Sequence, residues 1–211
     1  MADIAVIDYG MGNLRSVQQS LRKVAPTASI ILTSDPQEVA RAGRVIFPGQ
    51  GAMPDCMREM DERGLRSAVL DAAKNKPFLG ICIGLQMLFE HSTEGNITGL
   101  GILRGQVVRF ASHLLDQRSD KLKIPHMGWN QVHQIAKHPL WQGIAQDARF
   151  YFVHSYYVVP QDAAIVQANT DYPTPFVCAV ARDNLFAVQF HPEKSQDAGL
   201  TLLKNFVAWK P

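Results

Sequence analysis

Residues 77–90, PFLGICIGLQMLFE, decide how the chain is read. A short apolar run (77–81) reaches glycine, cysteine sits at the tightest point of the reversal, and 83–90 reads as a helix. Gly80 and Gly84 flank Cys82 in a G-x-C-x-G pattern, the form of a nucleophile elbow with cysteine in place of serine. Such a turn is strained, and its glycines let helix and neighbouring strands pass close by.

The strand-then-helix order continues upstream. IAVID (4–8), SIILT (29–33) and RVIF (44–47) read as strands, and the stretches 13–24, 36–42 and 64–75 as helices. Strands alternating with helices at this spacing imply a parallel sheet covered on both faces. Downstream the character changes. GILRGQVVRF (101–110), NQVHQI (130–135), RFYFVHSYYVV (149–159), AIVQANT (164–170), FVCAVA (176–181) and LFAVQF (185–190) are strand-like runs between turn residues. Antiparallel pairs are expected to extend the sheet there, and 198–209 closes the chain as an amphipathic helix. The expected fold is α/β: one three-layer α/β/α domain over residues 1–211 with a mixed, largely parallel central sheet.

Bulk properties exclude several classes. The 211 residues suffice for one domain with a sizeable core, and 46% hydrophobic with 19% charged residues gives no sign of disorder. A net charge of +2 spread along the chain argues for neither nucleic acid nor an acidic membrane surface. The N-terminal stretch has only four consecutive apolar residues beside Asp3, so it does not read as a signal peptide, and no run is long enough to cross a bilayer. Three widely spaced cysteines suggest a reducing compartment, the cytoplasm.

In an open α/β sheet, ligands bind beyond the carboxyl ends of the strands, where Cys82 is expected. The elbow presents the sulfur to the cleft, the following helix N-terminus favours negative charge on it, and the Ile83 N–H points where an oxyanion would form. The alternative is a buried, inert thiol. A nucleophile needs a base, and AVQFHPEKS (187–195) supplies one. His191 and Glu193, two apart around Pro192, share one side of extended backbone, so the carboxylate can orient the imidazole. A lone histidine there would more often be a surface or capping residue. IFPGQGAM (46–53) places Gly49, Gln50 and Gly51 after a strand. It is either an ordinary strand-to-helix loop or a flexible donor loop whose Gly51 N–H completes an oxyanion hole. No metal or cofactor is expected. The seven histidines are dispersed, C-x-x-C and H-E-x-x-H are missing, and YGMGN (9–13) lacks the third glycine of a dinucleotide loop and the Gly-Lys-Ser/Thr of a P-loop.

Elbow, glycine loop and late His-Pro-Glu, in this order and across the whole chain, resemble the class I (triad) glutamine amidotransferases, whose core is flavodoxin-like. The blocks IDYGMGNLRSV (7–17), KIPHMGWNQV (123–132), FYFVHSYYV (150–158) and VARDNLFAVQFHPEKSQ (180–196) are similar to those of one branch, the glutaminase subunits of imidazole glycerol phosphate synthases. Ile83 stands where leucine is more usual, and Gln50 where valine often is. The resemblance implies a Cys82–His191–Glu193 triad that hydrolyses L-glutamine through a γ-glutamyl thioester. It implies that Gln86 and Glu94 recognise the amino-acid end of glutamine, and that Ser155, Tyr156 and the backbone of Gly49, Gln50 and Gly51 complete the pocket. On residues alone, Gln86 and Glu94 read as a solvated helix face and its terminus. The resemblance also implies a partner, a (β/α)₈-barrel cyclase subunit of histidine biosynthesis that receives ammonia in a heterodimer. Tyr9, Gly10, Met11, Gly12, Asn13, Trp129 and Lys194 are interface candidates, each with a duller role as turn, core aromatic or solvated charge. Rival readings are the glutaminase subunit of pyridoxal phosphate synthase, a cysteine hydrolase of another class and a non-catalytic binding module.

Overall fold

Apolar runs with no polar alternation need cover on both faces, and the fold provides it. The structure is a computed structural model describing residues 3–111 and 123–211. Its first half alternates β1 (Ile4–Ile7), α1 (Leu14–Val24), β2 (Ile30–Thr33), α2 (Pro36–Arg41), β3 (Arg44–Gly49), α3 (Met53–Glu62), α4 (Arg66–Asn75) and β4 (Phe78–Cys82). Every residue of β1 and β4 is buried, as a sheet sandwiched between helices requires. Helix α3 is not among the sequence expectations. It buries Met53, Cys56, Met57 and Met60 at helical spacing, and Pro54 sits in its first turn, where no N–H partner is lost.

The helix expected over 83–90 is a correction. Only one turn forms, α5 (Ile83–Gln86), and the chain then becomes β5 (Phe89–Ser92). Pairing decides the matter: β5 runs parallel to β7 (Leu103–Arg109) and antiparallel to β6 (Ile97–Thr98), so its apolar residues are claimed by the sheet.

The second half contains β8 (His126–Gln131), β9 (His133–Gln134), β10 (Arg149–His154), β11 (Tyr156–Pro160), β12 (Val166–Asp171), β13 (Pro175–Arg182), β14 (Leu185–Val188) and α6 (Gln196–Ala208). The main sheet runs β2-β1-β3-β4-β14-β13-β11-β7-β5-β6, with β12 joining β13 and β9 joining β12. From β2 to β14 the strands are parallel, and the β14–β13, β13–β11 and β11–β7 pairs are antiparallel. The run 149–159, read as continuous, breaks at Ser155. Its first part forms a separate antiparallel ribbon, β8–β10, and its second part enters the main sheet. The result is a three-layer α/β/α fold in which α1 packs on α6 and α2 on α4. Among the described residues, no helix is long and apolar enough to cross a membrane.

Three adjacent parallel strands matter most. In β3, β4 and β14, Gly49 pairs in register with Cys82 and Ile81 with Val188, so their carboxyl ends open at one level. The glycine loop, the elbow and the His-Pro-Glu turn leave the sheet together there.

Candidate active site

Cys82 has φ 57° and ψ −112°, a conformation that side chains disfavour, costing about 1–3 kcal/mol. Close packing enforces it. A Cβ on Gly84 would run into the carbonyl oxygen of Phe47, and one on Gly80 would lie 3.0 Å from the Cβ of Ala187. The elbow is therefore built. The expected helix-dipole support is not, because α5 is a single turn and carries little macrodipole. Support for negative charge on the sulfur comes instead from His191.

His191 follows β14, and its backbone N–H donates to the Tyr151 carbonyl at 2.9 Å. The Ser195 hydroxyl donates to the His191 carbonyl at 2.6 Å and accepts from Tyr151 N–H at 2.9 Å, tying the turn to the β8–β10 ribbon. His191 Nδ1 lies 2.8 Å from Glu193 Oε1, both side chains being almost wholly buried. Burial works against charge on the ring, but the neighbouring Cys82 and Glu193 outweigh it and raise His191 to about 10. A carboxylate only accepts, so the Glu193 bond places hydrogen on Nδ1 and turns Nε2 away. Among the described residues, that Nε2 has no hydrogen-bond partner. The residue lines, with Cys82, a cavity of about 270 Å³.

The same cavity is lined by Gln50, Gly51, Ile83, Gln86, Glu94, Ser155 and Tyr156, so the fold brings the expected pocket residues together. Gly49 lies behind the wall, where a Cβ would strike the Tyr9 hydroxyl and approach Ile83 Cβ to 2.8 Å. Gly51 has φ +104°, a glycine conformation. Its loop is held from below. Tyr9 donates to the Pro48 carbonyl at 2.7 Å, and the Cys56 thiol to the Gln50 carbonyl at 3.5 Å. Gln86 directs its amide nitrogen to the Tyr156 carbonyl (3.1 Å) and to Gln189 Oε1 (3.0 Å), and its own Oε1 has no partner among the described residues. Glu94 accepts from Met53 N–H at 2.8 Å, at the start of α3, while still lining the cavity.

The interface candidates divide. Tyr9 is corrected: it is fully buried behind the glycine loop and cannot meet a partner. Gly10, Gly12 and Asn13 are exposed, and Met11 is half-buried with its methyl packed against Gly51. Trp129 is 41% exposed and meets Tyr151 edge-on at 6.1 Å, and Lys194 Nζ lies 5.8 Å above the same Tyr151 ring. Residues not anticipated include Tyr151, His154 and Gln189. Gln189 left a signal, since it stands two before His191 at the end of a run that reads as a strand, although the strand itself stops at Val188. His154 left none. Cys56 and Cys178 are inert thiols, burial pushing Cys56 up to about 12 and Cys178 well up.

Comparison with known proteins identifies the family. The family model described as glutamine amidotransferase class-I matches residues 5–209. A protein of Nitrosospira multiformis named imidazole glycerol phosphate synthase subunit HisH is 66% identical over 212 residues, covering 100% of each chain. The protein of that name from Neisseria meningitidis serogroup A is 58% identical, over 97% of this chain and 99% of that one. Among solved structures, a glutamine amidotransferase superposes with a TM-score of 0.74 at 16% identity, covering 98% of this chain and 100% of that one. A cysteine elbow facing a carboxylate-held histidine, on a chain matched from end to end, has one consistent family reading: this chain belongs to the class I glutamine amidotransferases, and within them to the HisH subunits of imidazole glycerol phosphate synthase.

Proposed function

We propose that the chain, acting as one glutaminase domain over residues 1–211, hydrolyses L-glutamine and passes the ammonia to a cyclase subunit in histidine biosynthesis. The observation that carries the reading is the strained Cys82 lining one small cavity together with a His191 held by Glu193.

The Cys82 thiolate attacks the side-chain amide carbon. The oxyanion meets the backbone N–H groups of Ile83 and Gly51. His191 gives its Nε2 proton to the departing nitrogen, so the C–N bond breaks as ammonia forms and a thioester remains. His191 then takes a proton from water, hydroxide adds to the thioester carbon, and the thiolate leaves as glutamate is released. Glu193 keeps the ring oriented and supports its charge throughout. Glu94 and the unpartnered Oε1 of Gln86 are acceptors, suited to the substrate's ammonium, with Ser155 and Tyr156 closing the pocket.

Ammonia acts as a nucleophile only when unprotonated, so it has to reach its acceptor without entering bulk water. The partner is a (β/α)₈-barrel cyclase subunit that forms imidazole glycerol phosphate and an aminoimidazole carboxamide ribotide. Trp129 and Lys194, gathered around Tyr151 beside the His191 turn, and the loop 10–13, exposed at Gly10, Gly12 and Asn13, are the docking elements. Three unpaired buried thiols suit the cytoplasm. The test is steady-state glutamate release by this chain alone, with the barrel, and with the barrel and its nucleotide. Turnover is expected to rise on addition of the barrel and again with nucleotide. Equal turnover in all three states rules out control by the partner, and no turnover in any of them rules out the reading.

A further inference from the structure

The triad chemistry leaves one buried polar residue beside the nucleophile unused. Gln189 is 0% exposed, its amide nitrogen points at the Cys82 sulfur at 3.7 Å, and its amide oxygen accepts from Gln86 Nε2 at 3.0 Å. Amide oxygen and nitrogen are told apart by their partners. Here the partners leave one choice, and it is set at a distance. The carbonyl oxygen of Tyr156 can only accept. It takes Gln86 Nε2–H at 3.1 Å and His154 Nδ1–H at 2.8 Å. Gln86 therefore presents nitrogen on that side, Gln189 answers with oxygen, and the group left facing the sulfur is an N–H.

A second branch leads away from the same carbonyl and agrees with it. With Nδ1 donating, neutral His154 accepts at Nε2 from His126 Nδ1 at 3.0 Å, and His126 Nε2 faces Asn130 Nδ2 at 3.3 Å. Both rings are kept neutral by burial, which lowers His154 to about 3 and His126 to about 4. One backbone carbonyl thus fixes the direction of each hydrogen bond from Asn130 to Cys82.

We propose that Gln189 is a further catalytic residue, whose amide N–H holds negative charge on the Cys82 sulfur, with Gln86 and the Tyr156 carbonyl as its positioning groups. This rests on the glutaminase reading and deepens it. His191 changes protonation twice in each cycle, so its support for the sulfur comes and goes. A neutral donor does not titrate, and it is already in place when thioester hydrolysis expels the thiolate. Among the described residues, His191 with Glu193 lies beside the sulfur, Glu94 lines the same cavity, and Tyr9 and Cys56 are kept neutral by burial.

The experiment follows alkylation of Cys82 by iodoacetamide across pH in the full-length chain, read by mass at the Cys82 peptide, with Cys56 and Cys178 as internal inert thiols. Gln189→Met removes the donor and is expected to move the midpoint of Cys82 alkylation upward by about one pH unit, a tenfold change in the charged fraction. Gln189→Leu likewise removes the donor at similar volume, and an upward move of the same size is expected. This second variant carries the test if the methionine variant does not fold. An unchanged midpoint in a folded variant, even one with a lowered melting temperature, overturns the proposal while leaving the triad standing. A wild-type Cys82 no more reactive at neutral pH than a free thiol overturns the glutaminase reading, and this inference with it.

Discussion

His191 and His154 line one cavity from different walls, both almost wholly buried, yet His191 is raised to about 10 and His154 lowered to about 3. Burial acts the same way on each, against the charged ring. The neighbours differ. His191 has a carboxylate at 2.8 Å and Cys82 beside it, whereas His154 has a carbonyl on one nitrogen and a second neutral histidine on the other. Burial makes charge expensive, and the partners decide whether it is held anyway. One wall is thereby made a proton carrier and the other a fixed hydrogen-bond frame. The backbones match these roles, since the charged wall rests on the strained elbow and the neutral wall on a regular two-stranded ribbon.

The largest expected effect separates the two walls by activity. His191→Ala removes the proton carrier and is expected to lower glutamate release by about 10²–10⁴-fold. Glu193→Gln still hydrogen-bonds the ring and is expected to cost less than His191→Ala. His154→Phe, on the neutral wall, removes one of two donors to the Tyr156 carbonyl and should stay within about tenfold. Steady-state assays at saturating glutamine with the barrel partner measure all three. If His154→Phe proves as damaging as His191→Ala, the division into carrier and frame fails.

A smaller effect tests the backbone contrast. Gly84→Ala places a Cβ where the Phe47 carbonyl already sits, so β3 and the elbow have to part. Overpacking of this kind costs about 1–3 kcal/mol, and here it also re-aims the sulfur. Urea denaturation should show lost stability, and Cys82 should lose its selective alkylation. A fully reactive Gly84→Ala chain would show that the strained turn is not what activates the thiol.

How much of this was legible follows the same division. The charged wall is written in short range: G-x-C-x-G and His-Pro-Glu each fix their geometry within five residues, so strain and facing direction can be argued from spacing alone. The neutral wall is assembled from distant positions. Gln86 meets Gln189 across 103 residues and the Tyr156 carbonyl across 70, and that node is a backbone atom with no signature in the sequence. The parallel half of the sheet was legible because its apolar runs need cover on both faces. The helix expected over 83–90 failed because β-pairing with Leu103–Arg109 overrode an apolar run that suits either structure. Helix α3 is harder to read from sequence although its methionines and Cys56 recur at helical spacing. Pro54 and the run of charges that follows obscured a stripe built from weakly hydrophobic residues.

The smallest effect concerns stability against pH, where the two walls should show opposite slopes. His191 is raised above its ordinary 6.5, so its contribution is complete below that value and is lost as pH climbs through about 10. His126 and His154 are lowered, so their contribution is complete above 6.5 and is lost as pH falls toward about 4 and about 3. Each such proton changes stability by at most about 1.4 kcal/mol per pH unit within its window. His126→Phe isolates the acid limb. The new ring can occupy the stack between Phe152 and Tyr172, whose centroids lie 5.0 and 4.1 Å from that of His126. His154 Nε2 then loses its donor, which costs about 1–3 kcal/mol at neutral pH. Stability should therefore start lower than in the wild type but fall less steeply between pH 6.5 and 4, with the alkaline limb unchanged. Urea midpoints for both chains across that range measure the difference. An acid limb as steep in His126→Phe as in the wild type would mean that His126 does not take up a proton on unfolding, and that burial does not hold this wall neutral.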